Sequence, residues 1–400
     1  MTIRSTFRRC RRCGTTKYVA RAPAKGMRTA TVVLAALLAA GAAAAQTPPA
    51  TDYTEAVVAA RGLARTLLAE DSLPGLSVAV GVDGRIVWAE GFGWADLADS
   101  VPVTTRTRFR SGSSTKPLTA TAAALLYERG RLDLDAPVQH YVPDFPEKRW
   151  PVTTRHLLGH VSGVRHYGSE EEAFSRQHCD GVLDGLSIFT ADTLLFQPGT
   201  NYQYSTYGYN LVGAVVQAAA GRPFLDFLEA EVMSPLGMED TGPDFADRPV
   251  ADRASFYFPK TENQTRLGIE EAPEVDQSCK WPGGGLVSTP SDLVRFGLAM
   301  LAGQLLQPET LTMLQTLQQL ESGEPTEYGL GWFIHEVRLG PGAPPTRIVG
   351  HGGSSIGGTT AFMTFPEHGL VVAIMSNVSY ARVQPLSARI ARLFIQAGDR

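Results

Sequence analysis

Ser113 and Lys116 stand three residues apart in "RSGSSTKPLTA". On a helix, residues at that spacing share a face. A serine hydroxyl is a weak nucleophile and needs a base within hydrogen-bond reach. A lysine supplies that base only as a neutral amine, and an ordinary lysine is charged at neutral pH. Burial or a neighbouring cation must therefore lower its pKa. "SSTKPLTATAAALL" reads as a helix start, with Ser at the cap and Pro117 in the first turn. A helix N-terminus favours the negative charge that such a nucleophile develops. The same residues also fit a plain serine cap beside a solvated lysine, and a pattern this short recurs by chance. Nucleophilic chemistry needs partners from elsewhere in the chain.

Two stretches offer them. "FQPGTNYQYSTYGYNLVG" carries Tyr204-Ser205-Thr206 just ahead of a helical segment. A tyrosine there can pass protons between nucleophile, lysine and leaving group, although aromatics this dense also pack cores. "VGHGGSSIGGTTAF" carries His351-Gly352-Gly353 before a strand-like run. Glycines let a substrate approach the backbone, and an edge strand there can donate an N–H to an oxyanion. A flexible glycine loop is the alternative.

The elements that must position these residues lie at both ends of the chain. A helix is expected over 54–70 after the Pro-containing linker 46–53. Residues 76–82 and 85–90 are β-rich around Asp83-Gly84, a strong two-residue hairpin turn. Runs 360–365 and 370–376 flank Pro366-Glu367-His368-Gly369 in the same way. Leu386, Ile390, Leu393 and Phe394 make one helical stripe near the C-terminus. Between the ends lie helical segments such as "GYNLVGAVVQAAAG", with glycine as its C-cap. These features predict one antiparallel sheet built from both termini, over 54–120 and 285–400, with a helical insert over 121–284.

Composition narrows the function classes. The chain is 44% hydrophobic and 19% charged, ordinary for a globular protein. "MRTATVVLAALLAAGAAAAQ" has a basic start at Met27, an apolar run and Ala43-Ala44-Ala45 before Gln46. That is the layout of a secretory signal peptide, with Met27 as the expected true start and residues 1–45 as leader. The apolar run is too short for a convincing membrane anchor. An arginine-rich organelle presequence is the weaker reading of the same segment. Residues 1–45 hold nine of the 36 Lys and Arg and none of the 40 acids, so the remainder has 27 basic against 40 acidic residues, a net of −13. A nucleic-acid partner is not expected of such a surface. Cys10 and Cys13 fall in the leader and have no second pair for zinc. Cys179 and Cys279 are open between a disulfide and two buried thiols. His156 and His160 are four apart, but Leu157 stands where a zinc protease needs glutamate, so a structural role is expected. Glu170-Glu171-Glu172 read as a solvated surface.

"FRSGSSTKPLTATAAALLYERGRLDLDAPVQHYVPDFP", "TTRHLLGHVSGVRHY", "FQPGTNYQYSTYGYNLVG", "PLGMEDTG", "GGGLVSTPSDLVRFG" and "GHGGSSIGG" occur in that order. Together they resemble the serine β-lactamase-like family, which includes class C β-lactamases and S12 serine peptidases; S-x-x-K is the nucleophile motif of such enzymes. The likeness to its mitochondrial serine-protease branch is most marked across the first two stretches. The resemblance spans roughly residues 55 to 395. It implies an α/β (α+β) β-lactamase/transpeptidase-like fold, an antiparallel sheet flanked by helices with an inserted helical domain and the site between them. It implies Ser113 as the acylated nucleophile, Lys116 as its base partner, Tyr204 as the tyrosine of a Y-x-N motif, and His351 at the first position of the third motif. The oxyanion hole would be the backbone N–H groups of Ser113 and Ser354, and Thr206, Gly352 and Gly353 would contact substrate. No metal or organic cofactor is implied.

Two positions depart from the pattern. Thr206 stands where Asn is usual and loses the amide's paired donor and acceptor. His351 stands where many members have Lys, and a neutral imidazole grips a substrate carboxylate less well than an ammonium. Both weaken β-lactam hydrolysis and suit an esterase or peptidase. The expectation is a secreted, periplasmic or released serine hydrolase acting through an acyl-enzyme on a peptide, amide or ester. The competing expectation is a non-catalytic penicillin-binding-like protein that binds cell-wall peptides or a protein partner.

Overall fold

The computed structural model describes residues 51–262, 265–340 and 342–399. The leader, Met27, Cys10, Cys13 and most of the linker lie outside the described residues. Helix α1 (Thr54–Glu70) leads into strands β1 (Gly75–Val82) and β2 (Arg85–Asp96). Asp83 and Gly84 both take positive φ, 49° and 80°, as a tight Asp-Gly hairpin requires. A short β3 (Val101–Pro102) follows. The C-terminal part supplies β4 (Phe333–Arg338), β5 (Pro345–Ser355), β6 (Gly358–Phe365) and β7 (Leu370–Ser376). The sheet has seven strands in the order β3-β2-β1-β7-β6-β5-β4, every neighbour antiparallel. The two terminal hairpins meet at its centre, with Leu76 opposite Ser376 and Val82 opposite Leu370.

Every residue of β1 is buried, so the sheet is covered on both faces. Leu76, Val78 and Val80 pack with Ala56, Ala60 and Ala64 of α1 on one face. A C-terminal helix, Val383–Gly398, packs beside α1 through Leu386, Ile390 and Phe394, as its stripe predicts; Leu393 is only partly buried. The other face is covered by the helix Pro290–Leu301. A Cβ on Gly81 would meet Val294 at 2.5 Å, which measures how closely that helix lies on β1.

Helix α2 (Lys116–Glu128) and helix α3 (Thr206–Ala220) form the heart of the helical region. Both are buried nearly all round, the signature of core helices. Gly221 ends α3 in the left-handed conformation at φ 64°, taking its N–H back to Gln217 and Ala218. The boundary expected at residue 120 falls inside α2, which packs directly on α3.

The glycine-rich stretch around His351 is not a loop. Residues 351–355 continue β5, paired to β6 through His351–Phe362 and Gly353–Thr360. Glycine weakens a strand unless another backbone must come close. Here it does: a Cβ on Gly353 would lie 2.0 Å from Ser111 O, and one on Gly350 2.3 Å from Phe362 O. Pairing of β5 with β4 stops at Gly350 and Phe333, so the remaining edge faces the segment carrying Ser113.

Cys179 and Cys279 form a disulfide with Cα atoms 5.0 Å apart, closing a loop of 100 residues. A cross-link of that span removes unfolded-state entropy worth about 4 to 5 kcal/mol in the chain-entropy account. The double variant Cys179→Ser/Cys279→Ser is therefore expected to lose about 4 kcal/mol, read from the urea unfolding midpoint. An unchanged midpoint would show that the bridge does not stabilise the fold.

Candidate active site

Ser113 lies on a single 3-10 turn, Gly112–Thr115, that runs straight into α2. Gly112 adopts φ 52°, and a Cβ there would meet Ser354 N at 2.8 Å. Glycine thus supplies both the turn and the contact between the Ser113 segment and the free edge of β5. Neither serine caps the helix. Ser114 Oγ donates to His351 O at 3.2 Å, and the start of α2 has no side-chain cap but a proline in its first turn. Ser113 stays partly exposed.

Lys116, one turn on, is 0% exposed. Its Nζ lies 2.6 Å from Gly283 O, 3.2 Å from Thr206 Oγ1 and 3.0 Å from Ser113 Oγ. Burial pushes its pKa well below the ordinary lysine value. A neutral amine has two N–H bonds and one lone pair. Gly283 O can only accept, and Thr206 Oγ1 accepts the second N–H. The lone pair then faces the Ser113 hydroxyl, the arrangement a general base needs.

Tyr204 completes the cluster. Its hydroxyl lies beside Ser113, and burial holds its phenol protonated well above the usual range. Its ring is fixed on four sides. It stacks on Phe333 at 6.2 Å and lies 4.2 Å from His160, 6.3 Å from Tyr328 and 6.1 Å from His351. Lys116 Nζ sits 4.8 Å from the Tyr204 ring centre.

Ser205 and Thr206 start α3. Ser205 caps it by accepting the Gly208 N–H at 2.9 Å. The backbone N–H groups of Ser205 and Thr206 donate to Nδ1 of His160 and His166, both at 3.1 Å. Both imidazoles must therefore be unprotonated at Nδ1. Burial above all lowers His166 to about 4. His156 accepts the Thr153 N–H in a capping box. The histidine pair is structural, and the described residues contain no cluster of three metal-ligating side chains.

The cleft is about 360 Å³ and is lined by Ser113, Tyr204, Thr206 and Ser354 together with Lys280 and Gly283. His351, Gly352 and Gly353 lie on β5 beside the cleft and are not among the residues that line it. His351 is 3% exposed and sits behind Tyr204. Its Nδ1 lies 2.6 Å from Gly352 O, a pure acceptor, so Nδ1 carries the proton and Nε2 accepts from Tyr328 Oη at 2.9 Å. Burial, then Lys116, lowers its pKa to about 3. It is a buried neutral ring packed against Tyr204 and Phe333. Gly352 faces away, where a Cβ would strike Gln384, and Gly353 makes room for Ser111.

Several residues at the site carry no motif. Gly283, Gly284 and Gly285 form a turn because its backbone is squeezed: a Cβ on Gly283 would lie 2.6 Å from Thr206 Cγ2, and one on Gly285 2.4 Å from Gln277 O. That glycine run is the sequence signal for this wall. Tyr167 lies beside Thr206, and its phenol is pushed up to about 12 by burial. Glu172 is not a solvated acid. It pairs with Arg165 at 2.7 Å and accepts from Gly168 N–H and Tyr207 Oη, whereas Glu170 and Glu171 are exposed.

Comparison with known proteins gives the same picture. The mitochondrial serine beta-lactamase-like protein LACTB of Homo sapiens is 29% identical over 443 residues, covering 86% of this chain and 80% of that protein. Esterase EstB of Burkholderia gladioli is 31% identical over 351 residues, covering 78% and 88% respectively. The D-amino acid amidase of Ochrobactrum anthropi SV3, complexed with D-phenylalanine, shares the fold with a TM-score of 0.73 at 23% identity, over 86% of this chain and 100% of that one. The Beta-lactamase family model matches residues 60–395, and the chain belongs to the β-lactamase family, with Ser113 and Tyr204 lining its cleft and Lys116 buried beneath Ser113.

Proposed function

We propose that this protein is an exported serine hydrolase that cleaves an ester, amide or peptide through an acyl-enzyme on Ser113. The observation that carries this reading is the buried Lys116 amine, whose two N–H bonds are matched to Gly283 and Thr206 and whose lone pair faces Ser113 Oγ at 3.0 Å. Lys116 takes the hydroxyl proton as Oγ bonds to the substrate carbonyl carbon. The carbonyl electrons move onto oxygen, where the N–H groups of Ser113 and Ser354 receive the charge. The tetrahedral adduct collapses, the bond to the leaving group breaks, and Tyr204 passes its proton to that group while Lys116 replaces it with the one taken from Ser113. Water then attacks the acyl carbon and gives up a proton to the same groups, the bond between Oγ and the acyl carbon breaks, and Ser113 Oγ takes that proton as the acid leaves.

An esterase and an amidase among the similar proteins support this reaction class by their own names. The leader layout before Gln46 and the Cys179–Cys279 disulfide support export, since disulfides persist in oxidising compartments. A penicillin-binding-like protein that is acylated but releases no product is the competing reading, and Thr206 in place of Asn is what favours it.

Intact mass after exposure to a fluorophosphonate is expected to show one adduct on the wild type and none on Ser113→Ala. Lys116→Met should slow labelling by at least 10²- to 10³-fold, since the base is lost. A folded wild type that takes no adduct sinks the hydrolase. An adduct without turnover of any ester or amide moves the protein to the binding class.

The labelling rate should rise with pH, because Lys116 acts only when deprotonated. Its midpoint should lie well below 10.5, since burial depresses the folded-state pKa. A midpoint at the ordinary lysine value would remove Lys116 as the base.

A further inference from the structure

The cleft holds a second buried lysine. Lys280 ends the short turn Ser278–Lys280, is 5% exposed and lines the same cavity as Ser113. Its Nζ donates to Ala173 O at 2.9 Å and lies 5.2 Å from the Tyr167 ring centre. An ammonium has three N–H donors, so one backbone carbonyl leaves it under-satisfied. No carboxylate among the described residues forms an ion pair with it. Asp276, which lies nearby, is taken by His178 Nδ1 and the Ser278 N–H, each at 2.8 Å. Arg110, another neighbour, is paired with Asp244 and only adds repulsion. Glu170, the acid on the cleft rim, is exposed to water. Burial, then Arg110, lowers the Lys280 pKa to about 8, which leaves it mostly charged at neutral pH.

A nearly buried cation that feels Asp276 nearby but forms no ion pair of its own costs free energy that a folded protein has little reason to retain. This one is also held firmly in place. Cys279 is bridged to Cys179, Asn210 Nδ2 donates to Cys279 O at 2.8 Å, and the Cys179 N–H donates to Ser278 Oγ at 2.8 Å. The carbonyl of Lys280 accepts the N–H groups of Gly283, Gly284 and Gly285 at 2.9 to 3.0 Å. Gly283 O in turn holds Lys116. The two amines are thus joined through one short turn, and the Lys280 amine is registered against the nucleophile.

The other cations of the site are out of play. Lys116 is neutral while it acts as a base, and His351 is neutral and behind Tyr204. Lys280 is the one cationic side chain among the described residues that line the cleft.

We infer that Lys280 is a specificity-determining residue that binds a carboxylate on the substrate, so that the preferred substrates are carboxylate-bearing esters or amides. The inference rests on the hydrolase reading above. The missing counter-ion is then the substrate's own, and recognition moves from the third motif, where a neutral His351 stands, to the opposite wall.

Two pairs of esters test it on the purified protein. 4-Nitrophenyl butyrate against the 4-nitrophenyl half-ester of succinate places the carboxylate in the acyl part. Phenyl butyrate against 4-(butyryloxy)benzoate places it in the leaving group. kcat/KM is measured for wild type, Lys280→Met and Lys280→Arg, and the anionic-to-neutral ratio of each variant is divided by that of the wild type to cancel intrinsic reactivity. In at least one pair the ratio should fall roughly 10- to 100-fold in Lys280→Met, the range for a charge-assisted hydrogen bond. Lys280→Arg should keep most of it. If Lys280 only supports the wall, both members of each pair fall together and the ratio stays constant, which overturns the inference. Ser113 labelled by fluorophosphonate with neither carboxylate ester turned over overturns it as well, while the hydrolase stands. An unlabelled, folded wild type removes the hydrolase and this inference together.

Discussion

The Lys116 amine is sealed from water, has no carboxylate beside it among the described residues, and touches three oxygens. A charged amine in that place would bear the full cost of desolvation. The neutral form meets its surroundings bond for bond, which leaves one lone pair and one serine hydroxyl facing each other. Most of the local architecture serves this constraint. The 3-10 turn brings Ser113 above Lys116. Gly112 and Gly353 let β5 close over that turn. Gly283 lets a carbonyl reach the amine from the far side, against the side chain of Thr206. A methyl group at any of these glycines would push one partner away.

Neutrality spreads outward from the same burial. His160, His166 and His351 surround the Lys116–Tyr204 pair, and burial is what chiefly lowers each of them. Nδ1 of His160 and of His166 each accepts a backbone N–H at the start of α3, and His351 is held by Gly352 O and Tyr328 Oη, so they hold the backbone of α3 and the ring of Tyr204 without bringing charge. A protonated imidazole at any of these places would be a like charge beside the amine. The environment therefore positions the base while leaving its electrostatics to burial alone.

What the sequence reveals depends on whether a role is local. The Ser113–Lys116 spacing, the Asp83-Gly84 hairpin and the Leu386–Phe394 stripe are short-range patterns, and each appears in the structure where the pattern puts it. The disulfide was undecidable from spacing, because 100 residues separate its cysteines and only the fold brings them to 5.0 Å. His351 was legible as part of the site but not in its role. A motif gives its position on β5, and only the surrounding rings decide that it faces Tyr204 and not the cleft. Gly352 and Gly353 misled for the same reason: glycine signals close approach, and here the approaching backbone is Ser111, not a ligand. Lys280 left no trace except a glycine run next to it.

Thr206 shows how a departure from the family pattern can be absorbed. An asparagine offers a separate acceptor and donor, one for the lysine and one for a partner across the cleft. Threonine has one oxygen for both tasks. That oxygen accepts from Lys116 and has the phenol of Tyr167, which stays protonated, beside it. The lysine contact is kept, and the side-chain amide that would have met a substrate is gone. Tyr167 and Lys280 occupy that wall instead, with the ammonium 5.2 Å from the ring. In the proposed reaction the substitution therefore leaves Lys116 where it was and alters the wall that carries Tyr167 and Lys280.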